Sequence, residues 1–183
     1  AGYQEILTDP SYSGQFVTMT YPEIGNTGIN RDDMESGRFY VNGFILHALN
    51  TPSNWRAQES LHRALKEQGI PALAGVDSRR LTAKLLDQGT LYGYLSVEVR
   101  IGEDEAVRKA EAWCGLDGQD YARRVTCSRR YTWDPDGHHT CTWGMGDHLP
   151  KADLQVVAID FGIKWNILRS LRRSGMEVTV VPA

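Results

Sequence analysis

The sequence predicts an α/β protein, because apolar runs typical of strands alternate with amphipathic stretches typical of helices. The clearest case is "VVAIDFGIKWNILRSLRRSGMEVTVVPA", residues 156–183. Two runs of branched apolar residues flank a helical pattern that is bounded by Gly162 and Gly175. This stretch predicts one βαβ unit, and a single unit cannot bury its own sheet.

The first half of the chain predicts a compact α/β core. A turn-rich start containing "TDPSYSG" precedes a strand at Gln15–Tyr21, and a glycine-containing loop follows. Further strands are predicted at 39–49, 70–76 and 91–97, and helices at 57–68 and 78–88. Asp77 is the expected N-cap of the second helix, and Gly89 is its expected stop.

A third helix is predicted at Glu103–Trp113, with acidic residues in its first turn, where the helix dipole favours them. The stretch "RRYTWDPDGHHTCTW", residues 129–143, predicts a β-hairpin with Pro135 in its turn and Gly137 closing it. We expect a boundary between two domains after this hairpin, in residues 144–154.

Composition excludes several classes of protein. The 183 residues carry 20 basic and 23 acidic side chains, so nothing favours a nucleic-acid or anionic-membrane partner. The longest apolar runs are far below the roughly 18 residues that span a bilayer, which predicts a soluble protein. The three cysteines form no C-x-x-C pair, which is typical of reduced thiols in the cytoplasm.

The three cysteines are candidate nucleophiles. A catalytic thiol of this kind sits in a G-x-C-x-G turn between a strand and a helix. Cys114 follows a predicted helix, and Cys127 has no patterned neighbours, so both are interpreted as structural. Cys141 does not lie in such a turn either.

His138, His139 and Cys141 cluster near His148, which raises the possibility of a zinc site. In a strand, neighbouring side chains point to opposite faces, so at most two ligands would converge from this run. A polar hairpin is therefore favoured over a metal site.

Two short motifs lack the context that they need. "GMGDHL", starting at Gly144, precedes a strand, whereas a dinucleotide fingerprint follows one. "DFG" at residues 160–162 resembles a kinase motif, but the other kinase segments are missing. The second motif is interpreted as the end of a strand and a tight turn.

The stretch "LTDPSYSG" places Asp9, Ser11, Tyr12 and Ser13 in one turn. Such a turn can present a hydroxyl or an amide to a ligand. It can equally be a surface turn whose polar groups bond to one another, and local sequence leaves both interpretations open.

Four stretches together resemble the small, glutamine-hydrolysing subunit of carbamoyl-phosphate synthase. They are "GYQEILTDPSYSGQFVTMTYPEIGNTGIN" (2–30), "SNWR" (53–56), "GVDSRRLT" (75–82) and "DFGIKWNILRSL" (160–171). A weaker match, "GLDGQDYARRVT" (115–126), occurs in the right order. The resemblance thus covers essentially the whole chain.

The resemblance implies two domains. Residues 1–143 would form the family's N-terminal β/β/α small-subunit domain, incomplete at its start, and residues 144–154 a linker. Residues 155–183 would be the first βαβ unit of a flavodoxin-like class I glutamine amidotransferase domain, truncated after that unit.

The resemblance also implies an activity. The family hydrolyses glutamine to glutamate and ammonia, which is channelled to a large subunit. That subunit uses ATP, bicarbonate and a metal ion to make carbamoyl phosphate for pyrimidine and arginine biosynthesis, so no cofactor is expected in this chain. Ser11 matches the serine that contacts L-glutamine, and the catalytic residues are expected downstream of Ala183. The 183 residues alone are therefore expected to be an inactive fragment of a cytoplasmic ligase.

The sequence has two alternative interpretations. A relative whose nucleophilic cysteine has been replaced would act as a structural or regulatory module of an ammonia-dependent synthase. A nucleotide-binding Rossmann protein is disfavoured, since no glycine fingerprint follows any predicted strand.

Overall fold

The computed structural model describes residues 2–97, 101–141 and 148–183. Its helices are α1 Tyr3–Thr8, α2 Leu61–Glu67, α3 Ser78–Gln88, α4 Glu103–Glu111, α5 Tyr121–Val125, α6 His138–Cys141 and α7 Trp165–Arg173. Its strands are β1 Phe16–Thr18, β2 Glu23–Ile24, β3 Gly43–Ile45, β4 Ala48–Leu49, β5 Ala72–Leu73, β6 Tyr131–Thr132, β7 Leu154–Asp160 and β8 Met176–Pro182. In this part of the chain, no helix has the length and apolar character needed to cross a bilayer.

The first sheet is parallel, with the strand order β1-β3-β5. Strands β2 and β4 form a separate parallel pair. The largest buried cluster joins the first sheet to α1 and α2, and it is made of Tyr3, Leu7, Met19, Ile24, Ile29, Phe39, Val41, Phe44, Leu46, Leu61, Ala64 and Leu65. The first half of the chain therefore has its own apolar core.

The end of the chain forms the predicted βαβ unit. Strands β7 and β8 pair in parallel from Leu154–Met176 to Asp160–Pro182, and α7 connects them. Leu168 of α7 belongs to a second buried cluster with Trp133 and two valines of β8. Strand β6 pairs antiparallel with β8, so residues that precede the predicted boundary also contribute to this sheet. The α/β class is confirmed.

Several elements lie where the sequence predicts them, notably β1, α2, α3 and α4. The Asp77 carboxylate accepts a hydrogen bond of 2.9 Å from the Arg80 amide and caps α3. Gly89 ends that helix with a φ of 78°. Helix α4 has three acidic residues in its first turn. These features depend on neighbouring residues, which is why the local pattern identified them.

The predicted hairpin at 129–143 is wrong. Strand β6 pairs with β8, and residues 138–141 are helical. The side chain of Asp134 accepts hydrogen bonds from the amides of His139 and Thr140, at 3.0 and 2.7 Å. This capping turns the chain into α6 and away from a return strand.

The predicted strand at 91–97 is also wrong, since these residues are irregular. The ring of Tyr92 packs edge-on against Trp113 at 5.3 Å, and the Lys109 ammonium lies 5.0 Å from the Tyr94 ring centre. The aromatic side chains of this segment therefore pack against α4 and the residues after it, and do not form a strand.

Two other regions differ from expectation. The single strand predicted at 39–49 is divided, because β3 pairs with β1 and β5 whereas β4 pairs with β2. The turn-rich start contains a six-residue helix, α1, that the sequence interpretation missed. Its Tyr3 and Leu7 lie one turn apart and are both buried.

Candidate functional site

The turn around Ser11 is a single 3₁₀ turn, Pro10–Tyr12, capped by Asp9. The Asp9 carboxylate accepts hydrogen bonds from the Ser11 amide at 2.9 Å and from the Ser11 hydroxyl at 2.7 Å. Ser11 is exposed, and its hydroxyl oxygen can still accept a hydrogen bond from outside. The turn is therefore internally bonded and yet able to offer an acceptor to a ligand.

This turn lies beside the loop that follows β7. Lys164 Nζ is 3.5 Å from Asp9 Oδ2. A Cβ atom added to Gly162 would lie 3.0 Å from the Pro10 Cβ. In open α/β sheets, ligands bind outside the carboxyl ends of the strands. The Ser11 turn thus lies at the carboxyl end of β7, the edge of the β6-β8-β7 sheet where a ligand site is expected.

The loop after β7 is braced by Asp160, which is 6% exposed. One carboxylate oxygen accepts the amides of Gly162 at 2.9 Å and Ile163 at 2.8 Å, and the other accepts the Cys127 amide at 2.7 Å. Gly162 has a φ of 94°, a conformation that favours glycine. The interpretation of residues 160–162 as a strand end and tight turn is confirmed.

Sequence reasoning missed two buried charged residues, Glu35 and Arg169, which are 6% and 1% exposed. The Arg169 guanidinium donates to the carbonyls of Asp32 at 3.2 Å, Met34 at 3.0 Å and His139 at 3.1 Å. Burial lowers the pKa of Arg169, and the nearby charge of Glu35 opposes that shift. No local pattern identifies either residue, because their partners are distant in sequence.

Cys127 is partly buried, and its environment is unlike that of a nucleophile. Burial, and then the charge of Asp160, raises the pKa of the Cys127 thiol. A nucleophilic thiol needs a lowered pKa. This supports the structural interpretation of Cys127, while Cys114 is exposed and Cys141 is partly buried.

Of the predicted cluster, His138, His139 and Cys141 lie on α6, and His148 is exposed. The His139 ring centre lies 5.6 Å from that of Trp133 and 5.2 Å from that of Trp165. Among the described residues, no three His, Cys, Asp or Glu side chains come together in a group that could hold a metal ion. The expectation that at most two zinc ligands converge assumed a strand, and it does not apply because residues 138–141 are helical. Residues 144–147 of "GMGDHL" lie outside the described residues.

A separate polar pocket of about 310 Å³ lies beside α1, and Ser11 does not line it. The hydroxyl of Tyr3 donates to the Gly28 carbonyl at 2.7 Å there. Asp33 pairs with Arg56 at 2.8 Å. These lining groups are bonded within the protein, so the pocket is secondary to the Ser11 turn as a candidate site.

Comparison with known proteins gives a consistent result. The family model of the carbamoyl-phosphate synthase small chain, CPSase domain, matches residues 1–95. The chain is 45% identical over 183 residues to the carbamoyl phosphate synthase small chain of Syntrophotalea carbinolica, a match that covers 100% of this chain and 48% of that relative. It is 43% identical over 189 residues to the small chain of Pseudomonas aeruginosa, covering 100% and 49%.

A plant relative is also similar. The chain is 44% identical over 183 residues to the chloroplastic carbamoyl phosphate synthase small chain of Oryza sativa subsp. japonica. That match covers 100% of this chain and 40% of the relative. The chain thus spans about half the length of the curated relatives that it matches.

Proposed function

Because this chain belongs to the carbamoyl-phosphate synthase small-chain family, we propose that it is part of a subunit that hydrolyses glutamine to glutamate and ammonia. The ammonia passes to a large chain, which uses ATP, bicarbonate and a metal ion to make carbamoyl phosphate for pyrimidine and arginine biosynthesis. The relatives' name, small chain, supports a larger partner. Their greater length leaves room for a nucleophilic cysteine outside these 183 residues.

The observation that carries the proposal is the position of the Ser11 turn beside the loop after β7. The Ser11 hydroxyl donates to Asp9, so its oxygen is left to accept a hydrogen bond. Glutamine offers N–H donors in its ammonium and amide groups. We therefore assign Ser11 to one wall of the glutamine pocket.

The βαβ unit is proposed to open a flavodoxin-like class I glutamine amidotransferase domain. Parallel sheets are normally covered on both faces. Here α7 covers one face, while Val157 and Ile159 are 67% and 54% exposed. Apolar side chains in this position favour a larger domain in which further elements cover the second face.

The test uses the protein translated from its complete coding sequence and assembled with the large chain. Ser11→Ala removes one acceptor, so the KM for glutamine should rise about 5- to 10-fold, in line with one hydrogen bond of about 1 to 1.4 kcal/mol. Ser13→Ala removes a hydroxyl two residues further along, at the end of the same turn, and should leave KM unchanged. An unaltered KM in Ser11→Ala contradicts the assignment.

A second test concerns residues 1–183 alone, which should release no ammonia from glutamine. The thioester chemistry needs an activated cysteine, and the raised pKa of Cys127 disfavours that role. Ammonia release by this purified chain contradicts the expectation that the nucleophilic cysteine lies outside these 183 residues. A G-x-S-x-G turn in place of G-x-C-x-G in the complete protein would instead support the non-catalytic alternative.

A further inference from the structure

Helix α7 takes its N-terminal cap from a distant segment. Lys164, the residue before the helix, makes no side-chain capping bond. Instead, the Trp165 amide donates to the Glu35 carbonyl at 2.8 Å, and the Asn166 amide donates to the Glu35 carboxylate at 2.9 Å. A carboxylate at this end of a helix is also stabilised by the helix dipole.

The same segment is attached to α7 one turn further along. Arg169 donates to the carbonyls of Asp32 and Met34. Together with the two amides of α7 that donate to Glu35, these bonds attach residues 32–35 to two successive turns of the helix. The segment therefore cannot slide or rotate on α7 without breaking several partly buried hydrogen bonds, which are costly to leave unmade.

Residues 35–36 also hold the end of α1, just before the Ser11 turn. The Glu35 amide donates to the Thr8 hydroxyl at 2.9 Å, and the Ser36 hydroxyl donates to the Thr8 carbonyl. Thr8 directly precedes Asp9, which binds both the amide and the hydroxyl of Ser11. A short series of contacts thus runs from α7 through Glu35 and Thr8 to Ser11.

We propose that Glu35 is a positioning residue for substrate, because its carboxylate on α7 sets where the Ser11 hydroxyl lies relative to the Gly162 loop. The pair between Lys164 and Asp9 is a second connection, but the Lys164 side chain is 44% exposed and such pairs contribute little. Glu35 is buried and is the stronger connection. This inference rests on the proposed function, since it assumes that Ser11 contacts glutamine.

The test compares Glu35→Ala with Glu35→Gln in the complete protein assembled with its large chain. A misplaced Ser11 weakens glutamine binding, so Glu35→Ala should raise the KM for glutamine about 5-fold, and no more than Ser11→Ala does, with kcat within about twofold. Glu35→Gln retains an acceptor oxygen for the Asn166 amide and should restore most of the KM. In a Ser11→Ala background, Glu35→Ala should raise the KM no further, because the contact that it positions is already absent.

Ser60→Ala is the matched control. Ser60 caps α2 by accepting the Arg63 amide at 3.2 Å, so its loss lowers stability without touching the contacts between α7 and Thr8. This variant should have a lower melting temperature and an unchanged KM. An unchanged KM in Glu35→Ala, or full additivity with Ser11→Ala, overturns the inference.

Hydrogen exchange of the same proteins separates this inference from the proposed function. The amides of Asp9 and of residues 11–15 should exchange faster in Glu35→Ala than in wild type or Ser60→Ala. If the wild type does not hydrolyse glutamine, the proposed function fails, and exchange alone decides whether Glu35 fixes the turn. Unchanged exchange of these amides in Glu35→Ala then overturns the positioning role.

Discussion

The Asp160 carboxylate accepts a 2.7 Å hydrogen bond from the backbone amide of Cys127, and so ties the end of β7 to the segment that follows α5. It also accepts the amides of Gly162 and Ile163. Asp160→Ala leaves all three amides without this acceptor. We expect the free energy of unfolding to fall by about 3 kcal/mol or more, because hydrogen bonds to charged groups are worth about 1.5–3 kcal/mol each.

Asp160→Asn tests the same hydrogen bonds with a smaller change to the side chain. One oxygen can still serve Gly162 and Ile163, but the amide NH₂ then faces the Cys127 amide, and two donors cannot bond. Urea unfolding should show a loss between those of wild type and Asp160→Ala. Asp153→Asn is the control, because Asp153 is 66% exposed and pairs only at the surface with Lys151. Equal losses in the Asp160 and Asp153 variants contradict the bracing role.

Local and distant contacts differ in how far the sequence predicts them. The Asp77 cap of α3 spans three residues, so the pattern "VDSRRLT" contains both partners. The Glu35 cap of α7 joins residues 131 positions apart, and "DDMESG" reads as ordinary surface charge. The position of Ser11 in a polar turn was predictable for the same local reason, whereas its placement beside Gly162 depends on how the two halves of the chain pack.

The Gly162→Ala substitution tests that packing. Gly162 has a φ of 94°, and an added Cβ would lie 3.0 Å from both Pro10 Cβ and Val125 Cγ2. Backbone strain of about 1–3 kcal/mol is expected, and the contact with Pro10 should add to it. Gly75→Ala is the control, because Gly75 has a φ of 83° and no atom within 4 Å of the added Cβ. Thermal unfolding should show a larger loss for Gly162→Ala, and similar losses would show that the close approach to Pro10 is unimportant.

Arg169→Met tests the attachment of residues 32–35 to α7. The change removes a buried guanidinium and leaves the partly buried carbonyls of Asp32, Met34 and His139 without this donor. We expect a loss of about 3 kcal/mol in the free energy of unfolding, the range found when one partner of a buried charged contact is removed. Arg169→Lys should recover little, because an ammonium cannot reproduce the planar fork of a guanidinium.

The control for Arg169 lies on the same helix. Arg172 donates to the Pro150 carbonyl at 2.8 Å, and Arg172→Met should lose at most about 1 kcal/mol, the net worth of one hydrogen bond. Urea unfolding of both variants gives the comparison. If Arg169→Met is no less stable than Arg172→Met, the buried guanidinium does not hold the segment.

Tyr131 of β6 predicts a dependence of stability on alkaline pH. Burial, and then the charges of Asp160 and Cys127, raises the pKa of Tyr131 to about 12. An unfolded tyrosine titrates near 10. Between these values the unfolded chain has lost the phenolic proton while the folded chain retains it, so stability falls as the pH rises. Below pH 10 this contribution is fully present.

Tyr131→Phe removes the titrating group and should flatten this dependence. Between pH 10 and 11, the unfolding free energy of the wild type should fall by up to about 1 kcal/mol more than that of the variant. The upper limit is about 1.4 kcal/mol per unit of pKa shift, and the partial exposure of the ring reduces it. Tyr21→Phe is the control, because Tyr21 is 73% exposed and this variant should follow the wild type. Urea unfolding at pH 8, 10 and 11 measures the difference. Parallel losses in the wild type and Tyr131→Phe would show that the β6–β8 pairing does not keep this phenol protonated.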